Sequence, residues 1–170
     1  MTDELQTFIH LWNYEAKKSA DLLRTLPAGQ YDFRPDPEAR SLGELAWHLA
    51  EVDAYPTWGI EQGGFEPGAR PEGLERPRSI EALAPGYERI HTDAVERIRR
   101  LVPSDLDKEI RGFGGREMRI RDLLWGAVLF HMIHHRGQLS ILVRLAGGAV
   151  PSIFGPNREE MAKLRAQAPA

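Results

Sequence analysis

Three histidines, His131, His134 and His135, lie inside LLWGAVLFHMIHHRGQLSILVRL, residues 123–145, one of the most apolar stretches of the chain. An imidazole in such a setting is either satisfied by hydrogen bonds or put to use as a ligand or acid–base group. With about 100° of rotation per helical residue, His135 stands about 40° around from His131, and Leu124, Val128, Leu139 and Leu142 fall in the same sector. His134 falls at the edge of that stripe. The i, i+4 pair therefore points two rings to one side with Cβ atoms roughly 5–6 Å apart, a separation two imidazoles can span to hold one metal ion.

A third ring is available in SLGELAWHLAEVDAY, residues 41–55. There His48 borders an apolar face made by Leu45, Leu49, Val52 and Tyr55. Side chains on facing helices are the usual source of metal sites in bundle cores. Three imidazoles leave at least one coordination position open, the arrangement of a catalytic rather than a closed structural site. The competing reading is a set of neutral core histidines satisfied by hydrogen bonds alone. Glu44 and Glu51, at i−4 and i+3 from His48, are in reach of its ring as outer acceptors; Glu44 also has a capping role and Glu51 can simply face solvent. His10 and His91 lack a histidine or carboxylate partner at ligand spacing and read as surface or polar-core residues. Trp12, Trp47, Trp58 and Trp125 read as packing residues, with Trp12 or Trp58 available to line a pocket.

Four amphipathic segments must position these residues. Residues 3–26 carry Leu5, Phe8, Ile9, Trp12, Ala16, Ser19, Leu23 and Leu26 on one stripe, stopped by Pro27 and Gly29. Ser41 and Glu44 form a capping-box signature that opens a second helix running to about residue 60. Residues 61–79, rich in Gly and Pro, read as a long crossover loop of the kind that is functional or mobile. A third helix over 79–101 is disturbed early by Pro85-Gly86. RGFGGREMRI predicts a turn or short hairpin leading into a fourth helix over 119–146, closed by Gly147-Gly148 and Pro151. PNREEMAKLRAQ adds a short terminal helix. The expected fold is all-α: one domain over residues 1–170, a four-helix bundle with a long crossover loop between helices 2 and 3.

Composition narrows the chemistry. The 170 residues contain no cysteine, which excludes disulfides, thiolate metal sites and a cysteine nucleophile. Any metal must be held by His, Asp or Glu. A net charge of −3, from 22 Lys+Arg against 25 Asp+Glu, gives no drive toward nucleic acid, and Arg97, Arg99 and Arg100 read as the basic end of a helix. No apolar run approaches a membrane span and no signal peptide is evident, so the expectation is a soluble, cytoplasmic protein with no nucleic-acid or membrane partner.

SLGELAWHLAEVD and HMIHHRGQLSILVRLAGG resemble the DinB family of metal-binding four-helix bundles, with a likeness extending over nearly the whole chain. Carried over position by position, that resemblance places the metal triad on His48, His131 and His135, the set chosen by helix phase. It gives Arg136, Gly137 and Gln138 structural roles: Arg136 pairing with an acid on another helix, Gly137 permitting close helix contact, and Gln138 donating a hydrogen bond near the site. It further implies a divalent metal, zinc or nickel, and a homodimer, for which Trp125, Phe130 and Ile133 supply surplus apolar surface. Some relatives resemble transferases that activate a low-molecular-weight thiol.

Two classes of function follow. In the first, the chain is a metal-dependent thiol S-transferase whose partners are a small-molecule thiol (bacillithiol, mycothiol or glutathione) and an electrophile. A metal-dependent hydrolase is a variant that requires a general base, and neither Glu44 nor Glu51 is well enough placed to be named as one. In the second, the chain is a non-catalytic metal or small-ligand binding protein of the stress response.

Overall fold

The computed structural model describes residues 3–167; residues 1, 2 and 168–170, part of the expected 1–170 domain, lie outside the described residues. The first helix, Glu4–Leu23, is capped by Asp3, whose carboxylate accepts from the Leu5 amide at 3.0 Å. It buries Leu5, Phe8, Ile9, Trp12 and Ala16, the stripe read from the sequence. It ends three residues short of Leu26 because the chain tightens into a turn, with Thr25 N–H bonded to the Leu22 carbonyl at 3.0 Å, before Pro27 forbids helical continuation.

The second helix, Leu42–Gln62, starts with the complete capping box: Ser41 Oγ accepts from Glu44 N–H at 3.3 Å and Glu44 Oε2 accepts from Ser41 N–H at 2.8 Å. It closes on Gly63, whose φ of 75° is the left-handed conformation that a glycine adopts without a Cβ clash. Glu44 is thus held by the cap and by Arg34 and Arg76, away from His48.

The crossover after this helix is tethered along its length. Phe65 N–H bonds to the Arg111 carbonyl, Trp47 Nε1 donates to the Leu74 carbonyl, Arg89 donates to the Gly73 carbonyl, and the Tyr31 hydroxyl donates to the Pro77 carbonyl. A single 3-10 turn, Ile80–Ala82, precedes the third helix, Leu83–Ile98. Pro85 therefore falls in the first helical turn, where its missing N–H costs nothing, and Gly86 lets the Trp47 ring approach to where a Cβ would sit 2.8 Å from it.

The expected hairpin is present. Strands β1 (Glu109–Arg111) and β2 (Glu117–Arg119) pair antiparallel with Ile110 opposite Met118, and the tip raises Phe113 between glycines. The fourth helix follows over residues 120–145, but it is not uniform. Its eight residues Leu123–Phe130 are π-helical, and regular α-helix resumes over His131–Leu145. A final helix, Arg158–Gln167, is tied back by a two-pronged pair, Arg144 to both Glu159 carboxylate oxygens at 2.7 and 2.8 Å.

The architecture is an all-α bundle with a long loop between its second and third helices and one small hairpin as accessory. Its core is built around Trp12, Trp47 and Tyr87, all fully buried. Among the described residues, no helix is long and apolar enough to cross a membrane.

Candidate metal centre

The second helix and the regular part of the fourth bring His48, His131 and His135 together. One ring nitrogen from each lies within 4.8 Å of the others, and the ring centroids are 4.5 Å apart for His48–His135 and His131–His135 and 5.7 Å for His48–His131. His134 stays outside: its exposed ring stands edge-on to His135 at 5.0 Å. His10 is exposed.

Two of the rings are aimed by an acceptor on the outer side. His48 Nδ1 faces Glu51 Oε2 at 2.8 Å, and His135 Nδ1 faces Gln138 Oε1 at 2.7 Å. The Ala127 carbonyl, four residues before His131, favours the protonated form of that ring. Helix geometry explains why that carbonyl is available. The His131 N–H bonds to the Gly126 carbonyl, five residues back, so the π register bypasses Ala127 at i−4. A carboxylate, a carbonyl and an amide oxygen are the acceptors that commonly orient metal-ligating histidines. Gln138 acts as acceptor here, the reverse of the donor role expected from the sequence.

With Nδ1 of His135 against Gln138 Oε1, its Nε2 faces the Nε2 of His131 at 2.8 Å. When one of the two carries a proton there the pair is an N–H···N hydrogen bond; when neither does they are opposed lone pairs, which a cation between them relieves. The surroundings oppose an imidazolium. Burial pushes His135 down to about 4, further helped by His48 and His131 and resisted by Gln138; burial and then His48 likewise lower His131, against the Ala127 carbonyl. A divalent ion bound at about 2.0–2.1 Å from two imidazoles in tetrahedral geometry would separate their nitrogens by roughly 3.3 Å, so the rings need move only a few tenths of an ångström to fit. The donor set, three nitrogens without thiolate, suits a divalent metal ion.

The cluster borders a cavity of about 250 Å³. His48, Glu51 and His131 form one side of it, and Val52, Tyr55, Pro56 and Phe113 form much of the rest. On the far side of Gln138 a second cavity, about 350 Å³, carries Arg40 and an apolar wall that includes Leu45 and Ile141.

The family model described as the DinB family matches residues 1–168. The chain belongs to the DinB family. Over 169 residues it is 29% identical to the uncharacterized protein YrdA of Bacillus subtilis strain 168, covering 99% of each chain. A DinB-like protein from Bacillus cereus ATCC 10987, known from its crystal structure, superposes with a TM-score of 0.72 at 29% identity over 91% of this chain and all of that one. The DinB-like protein YjoA of Bacillus subtilis shares the fold, with a TM-score of 0.70 at 22% identity over 89% of this chain and 99% of that one.

Within this DinB fold, several expectations from the sequence change. His91 does have a carboxylate partner: its Nδ1 faces Asp53 Oδ2 at 2.8 Å, while Trp12 Nε1 donates to Asp53 Oδ1 at 3.0 Å. That fully buried carboxylate makes Trp12 a core residue rather than a pocket wall. Gly137 permits no close contact within the chain, since a Cβ there would meet nothing within 4 Å. Trp125 is not surplus apolar surface: it donates to Glu4 at 3.0 Å and packs edge-on against Phe8 at 5.4 Å. Sequence reasoning also missed Phe113 and Pro56 as walls of the cavity beside the histidines. The glycines flanking Phe113 were the one visible sign that its ring would stand at a turn.

Proposed function

We propose that this DinB protein binds one divalent metal ion through His48, His131 and His135 and transfers a low-molecular-weight thiol to an electrophile. The observation that carries the reading is the convergence of three ring nitrogens within 4.8 Å of one another, with Nε2 of His131 and His135 2.8 Å apart and the outer nitrogens of His48 and His135 against Glu51 and Gln138. When bound, the ion lowers the pKa of a thiol and holds its sulfur as the nucleophilic thiolate.

The chain's own residues do the rest. Glu51 and Gln138 orient the rings of His48 and His135 through their Nδ1 atoms. Val52, Pro56 and Phe113 give the cavity beside the rings an apolar lining from which a bound ligand would displace water. The thiol must come from solution, because the chain has no cysteine. A transferase fits better than a hydrolase: among the described residues Glu51 is the one carboxylate lining the cavity, and it is engaged by His48 rather than aimed as a general base.

A homodimer belongs to the same reading. Phe130, Ile141 and Leu145 are 60, 65 and 58% exposed along the outer face of the fourth helix, where Gly137 also leaves open space. An apolar stripe of this kind on a helix is a common site of self-association.

The test strips the protein with chelator, reloads it with Zn²⁺ or Ni²⁺, and follows loss of glutathione, bacillithiol or mycothiol with a panel of electrophiles. One ion per chain and ion-dependent thiol loss are expected. Absence of metal uptake, or thiol loss indifferent to the ion, would sink the reading.

A further inference from the structure

The cavity beside His48 and His131 has a wall that does not belong to the helical bundle. Phe113, at the tip of the β1–β2 hairpin, lines the cavity together with Val52 and Pro56 of the second helix. The same ring, with Tyr55, also borders an outer cavity of about 590 Å³ that Trp58 and Phe65 line further out. Phe113 therefore stands as a partition between the histidine cluster and a larger apolar vestibule.

The partition is lightly held. Phe113 is 50% exposed, its main partner is the Phe65 ring at a centroid distance of 4.1 Å, and Gly114 and Gly115 beside it have φ of 72° and 78°. Phe65 is itself fixed, because its ring occupies the space a Cβ on Gly59 would need, 2.5 Å away. A half-exposed aromatic ring on a glycine turn, stacked on an anchored ring at the mouth of a cavity, is positioned to be in contact with whatever enters.

We propose that the electrophile taken by this site is neutral and apolar, of aromatic character, and that Phe113 is the residue that selects it. The assignment rests on the metal-dependent transferase reading for the ligand's role. It rests on the cavity for the ligand's chemistry. Apart from the two imidazoles and Glu51, which is engaged by His48, the inner walls are largely apolar, and the outer cavity is lined by one cation, Arg111, and one acid, Glu66, whose formal charges cancel. An aromatic ligand replaces water against Phe113, Tyr55 and Pro56, where stacking adds to area burial. The transfer balances simply: the thiol releases its proton, its sulfur forms the new bond to the electrophile's carbon, and the leaving group departs as an anion with the bonding pair.

The probe is N-phenyl-1-naphthylamine, a neutral aromatic fluorophore, titrated into the full chain with and without Zn²⁺, alongside its charged relative 8-anilinonaphthalene-1-sulfonate. Saturable binding of one neutral probe per chain is expected, with weaker binding of the sulfonate. Ala127→Phe, which fills the inner cavity beside His131, is expected to lose that binding. Phe113→Ala, a substitution at an exposed turn that leaves the core intact, is expected to weaken it while Zn²⁺ affinity and helical circular dichroism stay unchanged. Tighter binding of the sulfonate, or neutral-probe binding indifferent to both substitutions, overturns the proposal. Stoichiometric Zn²⁺ uptake without probe binding overturns it and leaves the metal reading standing, whereas probe binding in a protein that takes up no metal overturns the substrate role together with that reading.

Discussion

Arg136 and Glu15 join the fourth helix to the first through a buried ion pair one residue from His135. Arg136 Nη2 lies 2.5 Å from Glu15 Oε2, Nη1 donates to the Glu15 backbone carbonyl at 2.8 Å, and the two residues are 2 and 7% exposed. The pair fixes the rotation of the helix that carries two of the three clustered imidazoles. Glu15→Ala leaves a guanidinium uncompensated in the core and should cost about 3–5 kcal/mol in urea unfolding. The double change Glu15→Leu with Arg136→Met should recover much of that loss. A single-variant cost within the range of a surface pair would show that water reaches the guanidinium.

The outer acceptors make a second test of the site. Replacing Glu51 by Gln or Gln138 by Ala leaves all three imidazoles present but frees a ring to turn, and calorimetric metal affinity should fall roughly 10–100-fold. His48→Ala, His131→Ala and His135→Ala should each fall further, and His134→Ala should bind as the parent does. If His134→Ala abolishes binding while His135→Ala does not, the ligand set is wrong.

Acid stability offers a third. His135 is lowered from its ordinary 6.5 to about 4 in the folded metal-free protein, so between those values the unfolded chain binds a proton that the folded chain refuses. Stability rises with pH wherever the unfolded state holds more protons, and the metal-free protein should therefore lose stability as pH falls from 6.5 toward 4. His131 is shifted the same way and adds to the slope. Thermal melts of chelated protein across this window check it, and His135→Leu should flatten the slope. A variant slope as steep as the parent's would assign the acid sensitivity to other groups.

The sequence revealed the parts of this arrangement that depend on local periodicity. His131 and His135 share a face because they are four apart in a regular α-helix, and Ser41 with Glu44 announces the start of the helix that presents His48. The π turn over Leu123–Phe130 left no such trace. Its residues are apolar or small all round and obey the same pattern in either register, so the shift of the His131 amide from the Ala127 to the Gly126 carbonyl was invisible. Asp53 was missed as the partner of His91 for a different reason: the two are 38 residues apart on neighbouring helices, and no spacing rule along one helix reaches across. The cavity that Phe113 shares with His48 is likewise a tertiary feature, set by where the hairpin docks.

Self-association can be read from the outer face of the fourth helix. Ile141 is the most exposed member of the Phe130, Ile141 and Leu145 stripe, and Ile141→Glu places a charge at its centre with no core contact to disturb. Sedimentation at micromolar concentration should show a dimer for the parent and a monomer for the variant. A monomeric parent would remove the homodimer from the proposal without touching the histidine cluster.

Metal removal should affect function far more than fold. The core around Trp12, Trp47 and Tyr87 is independent of the three imidazoles, and a chain of this length buries enough surface to fold without a metal staple. The imidazoles left behind are not bare either, since Glu51 and Gln138 still occupy the outer nitrogens of His48 and His135. The uncompensated part is the facing Nε2 pair of His131 and His135, whose relief by small ring rotations should limit the destabilisation to about 1–3 kcal/mol, the cost of an unsatisfied buried polar group. Chelated protein should therefore keep its helical circular dichroism at neutral pH, melt a few degrees lower, and lose metal-dependent thiol transfer. Loss of helicity on chelation would mean that the cluster is a structural centre, and the open position beside it would then have to be explained by ligand binding without turnover.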